Sequence, residues 1–269
     1  MRSNCGFGLL KQSTLLDQAA SNHANWQLKN NYVGHLEVAS VTNGFTGILP
    51  TDRATYTGYS WTWDVRDAYV SETGTSTKNG AYHLRTLLSA PYHTRSLLSE
   101  GRDIGIAIRN DVDAGSTATY GQRVVTQMDL SSTSAEGTQL IAEGSVATYP
   151  CAGSDGLNYA LRNESPNPVP GRDLAVNPVG HPIIVMGRAG STVAITSVVL
   201  TNLAGGSAVA MLTPVTSSND PNSSLPTHVS FVLPDQPLSP NASYQAIVNG
   251  TLNGTPFSRT FTFNTGSGS

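Results

Sequence analysis

The stretch DIGIAIRNDVDAGSTATYGQRVVTQMDLS, residues 103–131, decides the fold of the first half of the chain. Its first part places isoleucine at 104, 106 and 108, and its last part is rich in β-branched residues. Apolar alternation with period 2 marks a strand that is covered on one side. The Gly-, Ser- and Thr-rich VDAGSTATY between the two runs reads as a connection, so the spacing predicts an antiparallel pair.

Outward from this pair the pattern alternates. STLLDQAASNHANWQLKNN, residues 13–31, has apolar or ring-bearing residues at 15/16, 19/20, 23 and 26, close to the helical period, with Thr14 and Asp17 as a capping-box-like start. NGFTGILPTDRATYTGY reads as loop, and DAYVSETG as a short strand. NGAYHLRTLLSA predicts a second helix with Ala81, Leu84, Leu87 and Leu88 on one face, stopped by Pro91. RSLLS reads as one more helical turn. Helices around a mainly antiparallel sheet predict an α+β layered domain over residues 1–150.

The composition then changes. All three Trp and nine of the ten Tyr precede residue 160, and after residue 174 only Arg188, Asp220, Asp235 and Arg259 carry charge. ESPNPVPGRD reads as part of a Pro-rich linker over 151–174. Beyond it, HPIIVMG, STVAITSVVLTN, SAVAMLTPVT, HVSFVLP, SYQAIVNGTLNG and SRTFTFNT are short alternating runs punctuated by turn residues. They predict an all-β antiparallel sandwich over 175–265, with a structural or adhesive role.

Net charge is −3 with 12% charged residues, and no run of Lys or Arg exceeds two. The pI is about 6.0. This leaves no electrostatic footprint for nucleic acid. No run of about 18 apolar residues predicts a membrane span. No signal peptide is legible at Met1, so the sequence alone leaves a cytosolic protein or a trimmed one. Two cysteines, Cys5 and Cys151, lack the spacing of a zinc site. They bracket the first domain and are expected to be bonded, with free core thiols as the alternative; a bond implies a secreted or periplasmic setting.

Side chains fit for chemistry concentrate in the first domain. His23 falls on the apolar face of the first helix and reads as a core histidine, as does His83 beside the inward face of the second. In NYVGHLE, residues 31–37, His35 and Glu37 share one side if the segment is extended. His93 and Glu72 stand at element ends, where functional groups are often presented. No nucleophile elbow or phosphate-binding glycine loop is present.

The ordered pieces LLDQAASNHANWQLKNNYVGHLE, DRATYTGY, VSE, SAPYHTRSLL, DIGIAI and VVTQ resemble the bacterial branch of the CAP superfamily (cysteine-rich secretory, antigen 5 and pathogenesis-related proteins, the SCP-like domain) across residues 6–130. LPDQPLSPNASYQAIVNGTLNGTPFSRTFTFNT resembles bacterial Ig-like domains. The resemblance implies an α-β-α sandwich with a cleft, followed by an Ig-like β-sandwich. In the family's eukaryotic members two His and two Glu line the cleft and can hold a divalent cation. Carried over, His35 matches the first His and Glu72 the Glu of the GEN motif; the second Glu falls near Ser89 and the second His at Val124, so both are replaced. His93 in APYHTR matches a His found in bacterial members, and Glu37 joins on its own chemistry. His35, Glu72 and His93 have the ligand count of an open zinc site, though such a cluster equally serves as a hydrogen-bonded network. The expected function is a secreted or cell-envelope module that binds a small molecule, lipid, glycan or surface protein in a His/Glu cleft. The alternative is a divalent-metal-assisted hydrolase of peptide or cell-wall substrates.

Overall fold

The computed structural model describes residues 1–73, 80–112, 114–115, 123–135 and 137–268. The chain divides into two compact units, each assembled from separate stretches: Leu9–Leu87 with Ser96–Gln139, and Met1–Gly8 with Leu88–Arg95 and Leu140–Ser269.

The first unit contains β1 (Lys11–Gln12), α1 (Thr14–Lys29), α2 (Pro50–Tyr56), β2 (Arg66–Thr73), the start of α3 (Gly80–Leu88), the end of α4 (Pro91–Leu97), β3 (Asp103–Asn110) and β4 (Arg123–Ser131). Its sheet runs in the order β1-β3-β4-β2. The opening stretch does form an antiparallel pair, with Ile106 opposite Met128 and Gly105 opposite Asp129; Asp113 and residues 116–122 of its connection lie outside the described residues. β2 extends the pair antiparallel, whereas β1 runs parallel to β3. Ser13 caps α1 by accepting the Leu16 N–H at 3.4 Å. Leu16 then packs with Ala54, Tyr59 and Val65, and Ala24 and Leu28 pack with Ala114 and Val125. α2 falls where a loop was expected. Pro50 opens it, and the Asp52 carboxylate accepts the Leu49 N–H at 2.9 Å.

The second unit contains β5 (Ala147–Tyr149), β6 (Ser154–Leu157), β7 (Ala160–Leu161), β8 (Val179–Gly180), β9 (Ile183–Met186), β10 (Val193–Asn202), β11 (Ser207–Ala208), β12 (Val229–Val232), β13 (Ser243–Leu252) and β14 (Thr255–Thr265). One sheet has the order β11-β10-β13-β14-β6, another β12-β9-β5, and β7 pairs with β8. The burial pattern of β13 alternates along its whole length, which fixes its register against β10 and β14. Cys5 and Cys151 are bonded, with Cα atoms 5.4 Å apart.

The expected fold class is corrected here. Among the described residues the chain is sheet-rich, with fourteen strands and four helices that hold about 15% of the chain, and it is not an α-β-α CAP sandwich. Three of the four helices have nine residues or fewer, too short to form layers over a sheet. The strands within 175–265 pair antiparallel, but they do not form the self-contained sandwich expected: β5 and β6 from outside that range complete the two sheets, and β6 makes the larger one mixed by running parallel to β14. Residues 151–174 are structured: they supply β6 and β7 and bury Glu164 and Leu174.

Candidate functional site

β2 and β4 set up a polar cluster in the first unit. Their register pairs Asp67 with Asp129 and Tyr69 with Gln127, so these four side chains share one face of the sheet. The Gln127 amide donates to Asp67 Oδ2 at 3.1 Å and to Asp129 Oδ1 at 2.9 Å, bridging the carboxylates. α2 delivers the fully buried Arg53, whose guanidinium lies 3.3 Å from Asp67 Oδ2 and donates to the carbonyls of His35 and Ile48. His35 Nδ1 lies 2.9 Å from Asp67 Oδ1, and its side chain is 39% exposed, against 8% for Asp67. The Tyr69 ring meets the imidazole edge-on, 4.8 Å between centroids. The result is a relay from a partly exposed imidazole to a buried carboxylate pair.

Charge balance sets the protonation. Two carboxylates sit directly across strands, an arrangement that costs stability when both are ionised, and one guanidinium serves them. Burial favours the neutral form of Asp67, but the hydrogen bond and charge of His35, together with Arg53, hold its pKa at about 2. Asp129 is pushed up to about 7 by burial, with the charge of Asp67 adding to it against Arg53, Gln127 and His35. For His35, burial works against the cation, but the hydrogen bond and charge of Asp67 outweigh it, and the pKa lies above the ordinary imidazole value. The ordered imidazole is therefore biased toward its cationic form, which presents a charged N–H.

The other expected residues go elsewhere. Glu37 is 1% exposed and serves structure. It lies 3.1 Å from His23 Nδ1 and accepts the backbone N–H groups of Thr46 and Gly47, holding the segment that follows α1. His23 is a core histidine, kept below its ordinary pKa by burial. Glu72 lies five positions from Asp67 on β2, and so on the opposite face, in register with Val124. There it is 3.5 Å from His83 Nε2, while His83 Nδ1 pairs with the Thr126 hydroxyl at 2.6 Å. His93 belongs to the second unit, where Nδ1 and the backbone N–H both lie 3.1 Å from buried Glu164 Oε1. Of the expected zinc set, His35, Glu72 and His93 each have a separate partner here, and no group of three or more His, Cys, Asp or Glu among the described residues is placed to hold a metal ion.

Asp67, Asp129, Gln127 and Arg53 escape a reading for isolated motifs. The strands did carry a signal, namely polar residues two apart in DAY and QMD, which fall on one face of each strand. Arg53 was hidden because its helix was read as loop. No protein-family model matches the chain, and no curated protein matches it.

Proposed function

We propose that the protein is an extracytoplasmic ligand-binding module that recognises its ligand through His35 and Tyr69. The observation that carries this reading is the orientation of a partly exposed imidazole by a buried carboxylate, itself fixed by Arg53 and Gln127. Side chains held from behind in this way lose little freedom on binding, which favours affinity. The disulfide supports an oxidising compartment. Among the described residues no helix is long and apolar enough to cross a membrane. The ligand classes that suit the setting are glycans, lipid headgroups and small molecules of the cell envelope.

A thermal-shift screen of envelope glycans, lipids and small molecules, run on the wild type and on His35→Ala, tests the reading. The expected outcome is a stabilising ligand whose effect the variant loses, each shift being read against the same protein without ligand, because His35→Ala also removes a hydrogen-bond partner of buried Asp67 and lowers the melting temperature of the free variant. Equal shifts in both proteins would refute the assignment of His35.

A further inference from the structure

The second unit contains a pocket of about 240 Å³ between the tip of the β13–β14 hairpin and the β9–β10 connection, which joins the two sheets, with residues 143–145 completing its rim. Arg188 and Glu143 both border it and lie 3.8 Å apart as an exposed ion pair, which a ligand must part. We propose that this pocket binds a small zwitterion of the α-amino-acid type, with its carboxylate on Arg188 and its ammonium on Glu143.

Charge is scarce in this part of the chain, which makes its placement informative. Of the four charged residues after 174, Asp220 is taken up by Tyr92 and the backbone N–H groups of Ser224 and Leu225, and Asp235 by Arg172. Arg259 is exposed on β14. Arg188 borders this pocket, and a carboxylate from a distant stretch of chain meets it there.

The fold does not need that pair. Arg188 is 43% exposed and Glu143 92%, and among the described residues neither makes another ion pair. An ion pair this exposed contributes little to stability, so both charges remain available to a ligand. A ligand bearing one charge would satisfy one side and leave the other to solvent. A zwitterion whose ammonium and carboxylate flank one carbon engages both, and each contact is charge-assisted.

The rim is fixed before any ligand arrives. The Ser191 hydroxyl donates to the Arg188 carbonyl at 2.6 Å, and Asn253 Oδ1 accepts the Thr192 N–H at 2.8 Å, tying the β9–β10 connection to the tip of the β13–β14 hairpin. Gly144 and Gly190 have φ of +70° and +88°, and nothing lies within 4 Å of a Cβ built on Gly190 or Gly144, so that the walls there are bare backbone. Leu252 supplies an apolar wall for the ligand's own side chain. The volume exceeds that of glycine and leaves room for a small aliphatic group.

Titration of the ¹⁵N-labelled full chain with glycine, L-alanine, acetate and methylammonium tests the proposal. Glycine and L-alanine should give saturable amide shifts at Gly144, Ser145 and Gly190, with acetate and methylammonium binding at least tenfold more weakly. Arg188→Gln and Glu143→Gln should each raise the glycine Kd roughly tenfold, as expected for loss of one charge-assisted contact. Arg259→Gln, away from the pocket, should leave it unchanged. Shifts that do not saturate, acetate binding as tightly as glycine, or an Arg188→Gln protein that binds like the wild type would each overturn it. The exposure of both side chains keeps the variants folded, and the test is independent of His35.

Discussion

Asp129 is the residue whose state most depends on its surroundings. Its Oδ2 is buried without a hydrogen-bond partner, and burial beside Asp67 pushes its pKa from 3.8 to about 7. The folded protein therefore holds a proton that the unfolded chain releases above pH 3.8. The stability this proton provides is present at low pH and is lost as pH rises through the window from 3.8 to about 7. Asp67, held at about 2, has the opposite sign, and its contribution fades only as pH falls below 3.8. Urea unfolding of wild type and Asp129→Asn at pH 5 and pH 8 tests this, because groups that do not interact with Asp129 cancel in the difference to first order, while His35 and Asp67, which feel its charge, enter as part of the same coupled cluster. We expect the wild type to lose about 1–3 kcal/mol relative to the variant over that interval, since each tenfold change in proton affinity is worth about 1.4 kcal/mol. Parallel curves would show that Asp129 is ionised throughout. At this scale the sequence marked His35 as chemical but misassigned its partners. Loop position and residue type are legible in a sequence. The facing of Asp67 and Asp129 is a matter of register, which two strands settle only when they pair.

Among the elements, the strands were legible and one helix was not. The runs from 181 to 265 all contain strands, and alternation marked β3 as a strand but not its covered face: Gly105 and Ala107 are buried, whereas Ile106 and Ile108 are each 43% exposed. α2 has seven residues and shows no apolar stripe, so its only trace is Pro50 followed by Asp52. Glycine in the middle of β3 weakens a strand unless something needs the space. Here α1 does: a Cβ on Gly105 would sit 2.0 Å from the Leu16 carbonyl carbon and 2.3 Å from its oxygen, backbone atoms that cannot rotate away. The cost of Gly105→Ala is therefore a displacement of α1 from β3, and overpacking of this kind costs about 1–3 kcal/mol. The expected result is a lower urea midpoint with an unchanged slope, and faster amide exchange along Leu16–Leu28. A variant as stable as the wild type would mean that α1 and β3 stand further apart than they do here.

The whole molecule is two units threaded through each other in sequence, and the disulfide is where this organisation was most legible. Cys5 and Cys151 stood out as the only cysteines, bracketing the first half of the chain. The expected domain of residues 1–150 and linker of 151–174 rested on local composition, whereas the compact units divide at 139/140 and also at 8/9, 87/88 and 95/96. The segments Met1–Gly8 and Leu88–Arg95 belong with the C-terminal residues, an allegiance that tertiary contacts decide and local pattern does not. The bond therefore lies wholly within the second unit and ties its N-terminal segment to Cys151 across a sequence separation of 146. Closing so long a loop restricts the unfolded chain by about 4–5 kcal/mol in chain-entropy terms. For a protein of this size 1 kcal/mol moves the melting temperature by about 2–4 °C, so loop closure sets a range of about 8–20 °C. Cys5→Ser/Cys151→Ser is expected to lower the melting temperature within that range. Treatment of the wild type with a phosphine reductant should reproduce the fall. Thiol titration of the unreduced, denatured wild type should find no reactive thiol. Two thiols per chain would show the bond unformed. Because both cysteines belong to the second unit, hydrogen exchange should quicken first in β5–β14 and leave β2–β4 protected. Equal loss of protection in both units would mean that they unfold as one cooperative body, and that the bond stabilises the whole chain rather than the unit that contains it.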